Sequence, residues 1–121
     1  MVEQEPFAAD GTPFPTQFWL TCGHLARRLA QQEAAGGVER RTVAVAADER
    51  LAASLESANA EQLALRPELP VGIAGSSRPG SLKCLHAHVA FALARPGYEL
   101  GDRILAEVEP IWPVERCCAA A

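Results

Sequence analysis

Cysteine and histidine are the residues of this chain whose chemistry is most specific. The four cysteines come from three separate places, namely Cys22, Cys84 and the pair Cys117 and Cys118. Because no two of them have the CxxC spacing, the usual zinc-finger or thioredoxin-like pattern is missing. A metal or redox site would therefore have to be assembled from segments that are distant in sequence.

The histidines can supply further ligands. His88 follows Cys84 by four residues, and residues four apart lie on the same face of a helix. His86 is placed near the edge of an apolar stripe, where a structural role also suits it. Thiolate and imidazole ligands select soft or borderline metals, so the expected cofactor is zinc or an iron–sulfur cluster. The candidate ligands are Cys22, Cys84, His86, His88, Cys117 and Cys118.

The alternative hypothesis makes the cysteines small buried hydrophobic residues without chemistry. The protein would then be a non-catalytic interaction module that docks a protein partner or a second copy of itself. Its exposed surfaces would be the loop 68–80, the Trp19 face of the second strand and the segment around Trp112. The two hypotheses differ over Cys22 and Cys84, whose sulfurs should converge in a buried pocket if they share a metal.

The segment 81–95 must position Cys84 and the two histidines near it. Ser81 is a good N-cap residue after a Pro-Gly break, and Pro96-Gly97 ends the predicted helix. Such a helix is apolar nearly all round, which is typical of a central, buried helix. The predicted core stripe consists of Leu82, Leu85, Val89 and Leu93, and the opposite side carries Cys84, His88 and Phe91.

The rest of the chain predicts an α+β fold with an N-terminal β-hairpin packed on four or five helices. A strand over 16–22 alternates so that Phe18, Leu20 and Cys22 face inward and Trp19 faces outward. Helices are predicted over 24–35, over 48–65 with Asp48 as the cap, and over 100–108. Residues 38–46 fit either a strand or a helix, and the flanking helices favour helix.

Composition and charge narrow the class of protein. A chain of 121 residues with 49% hydrophobic residues predicts one soluble globular domain over 1–121. The net charge of −4 argues against a nucleic-acid binder, and no apolar run reaches the ~18 residues of a membrane span. The acidic N-terminus lacks the pattern of a signal peptide, which predicts a cytoplasmic protein. Because neither GxSxG nor a phosphate-binding loop is present, no enzymatic reaction is indicated.

Three segments resemble a known family. They are DGTPFPTQFWLTC at 10–22, LKCLHAHVAFALA at 82–94 and GYELGD at 97–102. Together they are similar to the domain-of-unknown-function family 501, which consists of uncharacterised bacterial, mainly actinobacterial proteins. The resemblance extends over nearly the whole chain and implies helix for 38–46.

The resemblance implies no activity, but it does implicate particular residues. Cys22, the pair Cys84 and His86, and a cysteine near the C-terminus match the family pattern. The sequence departs from that pattern at Gly23, where members typically have proline, and at Phe91, where they often have histidine. His88 occupies a position that is usually apolar, and it is one of the residues that can complete the ligand set here.

Overall fold

The computed structural model describes residues 1–110 of the chain. Over this range a two-stranded antiparallel hairpin is followed by five α-helices, which confirms the α+β class. A short 3₁₀ turn, Ile73–Gly75, interrupts the predicted loop 68–80. The elements are β1 (Val2–Glu3), β2 (Phe18–Trp19), α1 (Gly23–Ala34), α2 (Gly37–Ala47), α3 (Glu49–Leu65), α4 (Leu85–Ala94) and α5 (Glu99–Glu107). None of the helices within 1–110 has both the length and the apolar character to cross a membrane.

The hairpin is shorter than the sequence predicts. β1 and β2 pair over two residues each, with Val2 opposite Trp19 and Glu3 opposite Phe18. The prolines of the connecting segment explain this, because proline cannot donate a hydrogen bond to a strand ladder. At Phe18 and Trp19 the predicted alternation is confirmed, because Phe18 packs against the core and Trp19 is 49% exposed.

The middle of the chain is helical, as expected. Residues 38–46 lie within α2, so the helical alternative is confirmed. Asp48 caps α3, since its carboxylate accepts hydrogen bonds from the backbone N–H groups of Arg50 and Leu51. A short polar side chain at this position satisfies donors that the first turn of a helix leaves unpaired.

Buried Arg66, directly after α3, ties the hairpin to the helices. Its guanidinium donates to the backbone carbonyl of Phe14 at 2.7 Å and to that of Gln4. Only 3% of this residue is exposed. A planar guanidinium can donate in several fixed directions, so one side chain holds both arms of the hairpin.

The central helix α4 begins later than predicted. Its first residue is Leu85 and its N-cap is Cys84, so the expected cap at Ser81 is wrong. Lys83 has a φ of 64°, a left-handed conformation that breaks a helix. The carbonyl of Leu82 accepts from the backbone N–H of Cys84 and from the ring of His88, so it is held in place outside the helix.

The prediction that α4 is central is confirmed, but its core face is broader than the predicted stripe. α4 packs against α1, α5 and β2. Leu82, Leu85 and Val89 are buried as expected, whereas Leu93 is 41% exposed, so its place in the stripe is wrong. On the opposite side, Phe91 is buried against Phe18, with ring centroids 5.9 Å apart. Because α4 is apolar nearly all round, its own sequence does not specify which of its sides the neighbouring elements leave exposed.

Candidate metal site

Three side chains from two helices meet beside the start of α4. Glu33 lies near the end of α1, Cys84 is the N-cap of α4, and His86 is in the first turn of α4. One possible ligand atom from each of them lies within 4.8 Å of the other two. The three side chains are half-buried. A carboxylate, a thiol and an imidazole are thus brought together by the packing of α1 on α4.

Glu33 contacts both the backbone and the side chains of α4. Its Oε2 accepts a hydrogen bond from the backbone N–H of Leu85 at 2.7 Å, and its Oε1 lies 3.1 Å from Nδ1 of His86. A carboxylate at a helix N-terminus satisfies an unpaired N–H group and interacts favourably with the helix dipole. One side chain of α1 therefore fixes the start of α4 and faces the His86 ring.

The orientation of the His86 ring is fixed from its other nitrogen. Nε2 lies 2.9 Å from the backbone carbonyl of Ala26, and a carbonyl can only accept, so Nε2 carries a proton. In a neutral ring, Nδ1 then presents its lone pair to Glu33. This is the arrangement that backbone carbonyls give to metal-ligating histidines. Without a metal, a second proton on Nδ1 would let the ring donate to Glu33 instead.

Cys84 is held as a thiol rather than a thiolate. Its Sγ accepts from the backbone N–H of Ala87 at 3.4 Å, in the manner of an N-cap side chain. Burial raises the pKa of the Cys84 thiol, and the negative charge of Glu33 raises the pKa further. A metal ion would have to displace this proton, because the thiolate is the form that binds metals.

The same geometry does not suit a cysteine nucleophile. In a Cys–His pair, a ring nitrogen takes the thiol proton while a third group orients the other nitrogen. Here Nε2 of His86 is bonded to the Ala26 carbonyl, and the 3.1 Å contact of Nδ1 is with the carboxylate of Glu33 rather than with the sulfur of Cys84. The raised pKa of Cys84 is also the opposite of the lowered pKa that activates a thiol.

A pocket of about 380 Å³ adjoins the cluster. Its apolar lining comes from the strand region and from two helices, namely Phe18, Trp19, Leu20, Ala26 and Ala87. Its other lining residues are Thr16, Cys84 and His86. Two of the three cluster residues therefore form part of the wall of a mostly apolar cavity.

His88 lies away from this cluster, in the core. It is 0% exposed, its Nε2 donates to the carbonyl of Leu82 at 2.9 Å, and its Nδ1 lies 2.8 Å from the hydroxyl of Tyr98. Because Nε2 carries the proton, Nδ1 accepts from the Tyr98 hydroxyl, and the ring is neutral. Burial lowers the pKa of His88 to about 4. Both ring nitrogens already have partners within the protein.

Of the other predicted ligands, Cys22 is not part of the cluster found among residues 1–110. Cys22 is the half-buried N-cap of α1 and packs against the core. Its predicted convergence with Cys84 stays a prediction. Cys117 and Cys118 lie outside the described residues, and their role as ligands also stays a prediction.

Glu33 is the cluster residue that sequence reasoning missed. It follows Leu25 and Leu29 at intervals of four, and both leucines are buried. Glu33 therefore continues the inward stripe of α1 with a charged side chain. A charge placed on a buried stripe indicates a partner inside the protein, and this signal could have identified Glu33.

Comparison with known proteins assigns the chain to a family. A family model with the description "Protein of unknown function (DUF501)" matches residues 1–70. The chain belongs to the DUF501 family. The DUF501 match includes the hairpin, Cys22 and Glu33, and it ends before Cys84 and His86, whereas the sequence resemblance extended further along the chain. No curated protein and no solved structure matches this DUF501 chain.

Proposed function

We propose that this DUF501 protein binds one zinc ion through Glu33, Cys84 and His86. The observation that supports this most directly is the ring of His86. Its Nε2–H is held by the Ala26 carbonyl, which directs Nδ1 toward the carboxylate of Glu33, in a group that also includes the sulfur of Cys84. An ion pair alone would not require a thiol in the same group.

The dimensions of the cluster suit a single metal ion. Ligands bound to zinc at about 2.0–2.3 Å in tetrahedral geometry are separated by about 3.5 Å. The three ligand atoms now lie within 4.8 Å of one another, so small side-chain rotations would bring them to these distances. The carboxylate and the thiolate would together balance the double charge of zinc. Glu33 would bind through Oε1 and keep its hydrogen bond to Leu85 through Oε2.

The ligand types favour zinc over an iron–sulfur cluster. Iron–sulfur clusters are held mostly by several cysteine thiolates, whereas zinc accepts sulfur, nitrogen and oxygen ligands together. The group within residues 1–110 contains one cysteine, one histidine and one glutamate. An iron–sulfur cluster would need Cys22, Cys117 and Cys118 as additional ligands, and this alternative is tested by the same experiment.

Metal analysis of protein purified without oxygen tests the proposal. We expect one zinc per chain and no stoichiometric iron. Competition with a chromophoric chelator should give a zinc affinity at least tenfold lower for Cys84→Ser, His86→Gln and Glu33→Gln. The control is His24→Gln, since His24 lies on α1 and bonds a backbone carbonyl, that of Pro110, outside the cluster. Folded protein without zinc, or ligand variants that bind zinc like the parent, would contradict the proposal.

A second candidate function is an interaction module, and the outer face of the hairpin supports it. Met1, Val2, Phe7 and Trp19 are each between 43% and 49% exposed. Val2 and Trp19 are cross-strand partners and therefore share one face, and exposed apolar side chains on one face are typical of a surface that docks a protein partner or a second copy. Sedimentation of the parent and of Trp19→Ser tests this for the second copy. A concentration-dependent dimer that Trp19→Ser disrupts would support the module, and a monomer at all concentrations would exclude self-association.

A further inference from the structure

The pocket beside the cluster is large enough for a small organic molecule. A cavity of about 150 Å³ can hold benzene, and ligand pockets start at about 300 Å³. This pocket has a volume of about 380 Å³. It thus has room for an aromatic ring or a short alkyl chain together with a head group.

The lining determines the chemistry of the body of the ligand. Phe18, Trp19 and Leu20 supply one wall, and Ala26 and Ala87 supply small apolar side chains from α1 and α4. Thr16 supplies the one uncharged hydroxyl of the lining. Such a lining suits an apolar body and offers few partners to a sugar or to another molecule with many hydroxyl groups.

The head group must be recognised at the other wall, where Cys84 and His86 lie. Among residues 1–110, no lysine or arginine lines the pocket. At this wall an anionic head would therefore bind as a ligand of a metal that the cluster holds. Zinc held by three protein ligands keeps a fourth position for water or for a ligand from outside the chain.

We infer that the pocket binds a small apolar monocarboxylate whose carboxylate takes the fourth coordination position of the zinc. This inference rests on the proposed zinc site and adds the class of ligand. The aromatic or alkyl body lies among Phe18, Trp19 and Leu20. The carboxylate points toward Cys84 and His86.

Calorimetry with 3-phenylpropionate on the zinc-loaded full chain tests the inference. The control ligand is 3-phenylpropan-1-ol, which keeps the apolar body and lacks the anionic head. We expect the carboxylate to bind at least tenfold more tightly than the alcohol, and binding of the carboxylate to be lost in zinc-free protein. In cobalt-substituted protein, adding the carboxylate should change the visible spectrum, because the coordination of the metal changes.

A matched pair of variants tests the position of the ligand. Trp19→Ala removes part of the pocket wall at a half-exposed residue and should weaken 3-phenylpropionate several-fold while the zinc content stays at one per chain. Val43→Ala removes apolar surface at a 69% exposed position on α2 that does not line the pocket, and it should leave binding unchanged. Equal effects of the two variants would overturn the placement in the pocket.

The failure of this inference can be distinguished from the failure of the zinc proposal. Zinc binding at one per chain, with no response to 3-phenylpropionate, would overturn the inference alone. Equal binding to zinc-loaded and zinc-free protein would overturn the coordination of the carboxylate. If Cys117→Ser or Cys118→Ser lowers the zinc affinity, a cysteine of the chain takes the fourth position and the inference is wrong. Absence of zinc would overturn both proposals.

Discussion

His86 and His88 lie two residues apart on α4 and have opposite surroundings. His86 has a half-buried ring between two oxygen atoms of α1, the Ala26 carbonyl and the Glu33 carboxylate, and it lines a pocket. His88 is fully buried between the carbonyl of Leu82 and the hydroxyl of Tyr98. Both rings have both nitrogens in contact with polar atoms. They differ in whether those atoms leave a ring nitrogen available to a ligand.

The difference shows how one helix can combine a structural histidine with a candidate ligand. At His88, one partner accepts and the other can donate, so the neutral ring satisfies both and no position is left for a metal or a second proton. At His86, both partners are acceptors when Glu33 is ionised, so a neutral ring satisfies only one of them. The contact between Nδ1 of a neutral ring and the Glu33 carboxylate joins two acceptors. It is favourable only when a cation, either a proton or a metal ion, lies between them.

Removing each of the two rings in turn should lower the stability of the protein by very different amounts. His88→Ala should lower the free energy of unfolding by about 3 kcal/mol or more, because it opens a cavity and leaves the buried Tyr98 hydroxyl without its acceptor. The matched variant His86→Ala should cost about 1 kcal/mol, since its ring is 30% exposed and loses one hydrogen bond and one partly exposed ion pair. Urea denaturation of zinc-free protein measures both. Equal losses in the two variants would contradict the assignment of His88 as the structural residue.

The stability of the protein should fall in acid because of His88. Above pH 6.5 the residue is neutral in both the folded and the unfolded chain, so it adds no pH dependence. Below pH 6.5 the unfolded chain takes up a proton that the folded chain, with its pKa of about 4, does not. Unfolding is therefore favoured as the pH falls from 6.5 to 4, by about 3 kcal/mol at most.

Urea denaturation of zinc-free protein across this pH range measures the effect. His88→Gln should remove most of the slope, whereas His86→Gln should keep it, and carboxylates elsewhere contribute equally to both variants. Ring proton resonances of the parent provide a measurement that needs no variant, because His88 should titrate near pH 4. A His88 resonance that titrates near pH 6.5 would show that the ring is not buried as described.

Local signals in the sequence predicted much of the fold. Asp48 precedes a periodic helix and has a short carboxylate, so the start of α3 could be read from neighbouring residues alone. The exposed position of Leu93 could not be predicted in this way, because almost every residue of α4 is apolar. Which side of α4 stays exposed depends on the packing of α1, α5 and β2. α4 starts later than predicted because of the backbone conformation at Leu82 and Lys83. Helix propensities do not predict that conformation.

Only part of the candidate site could be predicted from the sequence. Cys84 and His86 are close in sequence, so their proximity required no knowledge of the fold. The i, i+4 spacing instead grouped Cys84 with His88, but Cys84 is the N-cap and the cluster includes His86. Glu33 comes from another helix, 51 positions before Cys84, and only the packing of α1 on α4 brings the two together. Neither composition nor residue spacing specifies the contacts between elements that are distant in sequence.

The reactivity of Cys84, which lies beside the pocket with His86, depends on the charge of Glu33. Burial raises the pKa of this thiol, and the charge of Glu33 contributes to the same shift, so iodoacetamide should modify Cys84 slowly at pH 7.5 in zinc-free protein. Glu33→Gln removes the charge and should accelerate the modification by a few-fold, because a larger fraction of the thiol is then ionised. Peptide mass spectrometry separates Cys84 from the other three cysteines, and Glu56→Gln, which removes an exposed carboxylate on α3, is the control. If Glu33→Gln slows the modification, or if Glu56→Gln accelerates it equally, then the carboxylate of Glu33 does not act on the sulfur of Cys84, and the zinc proposal loses one of the contacts on which it depends.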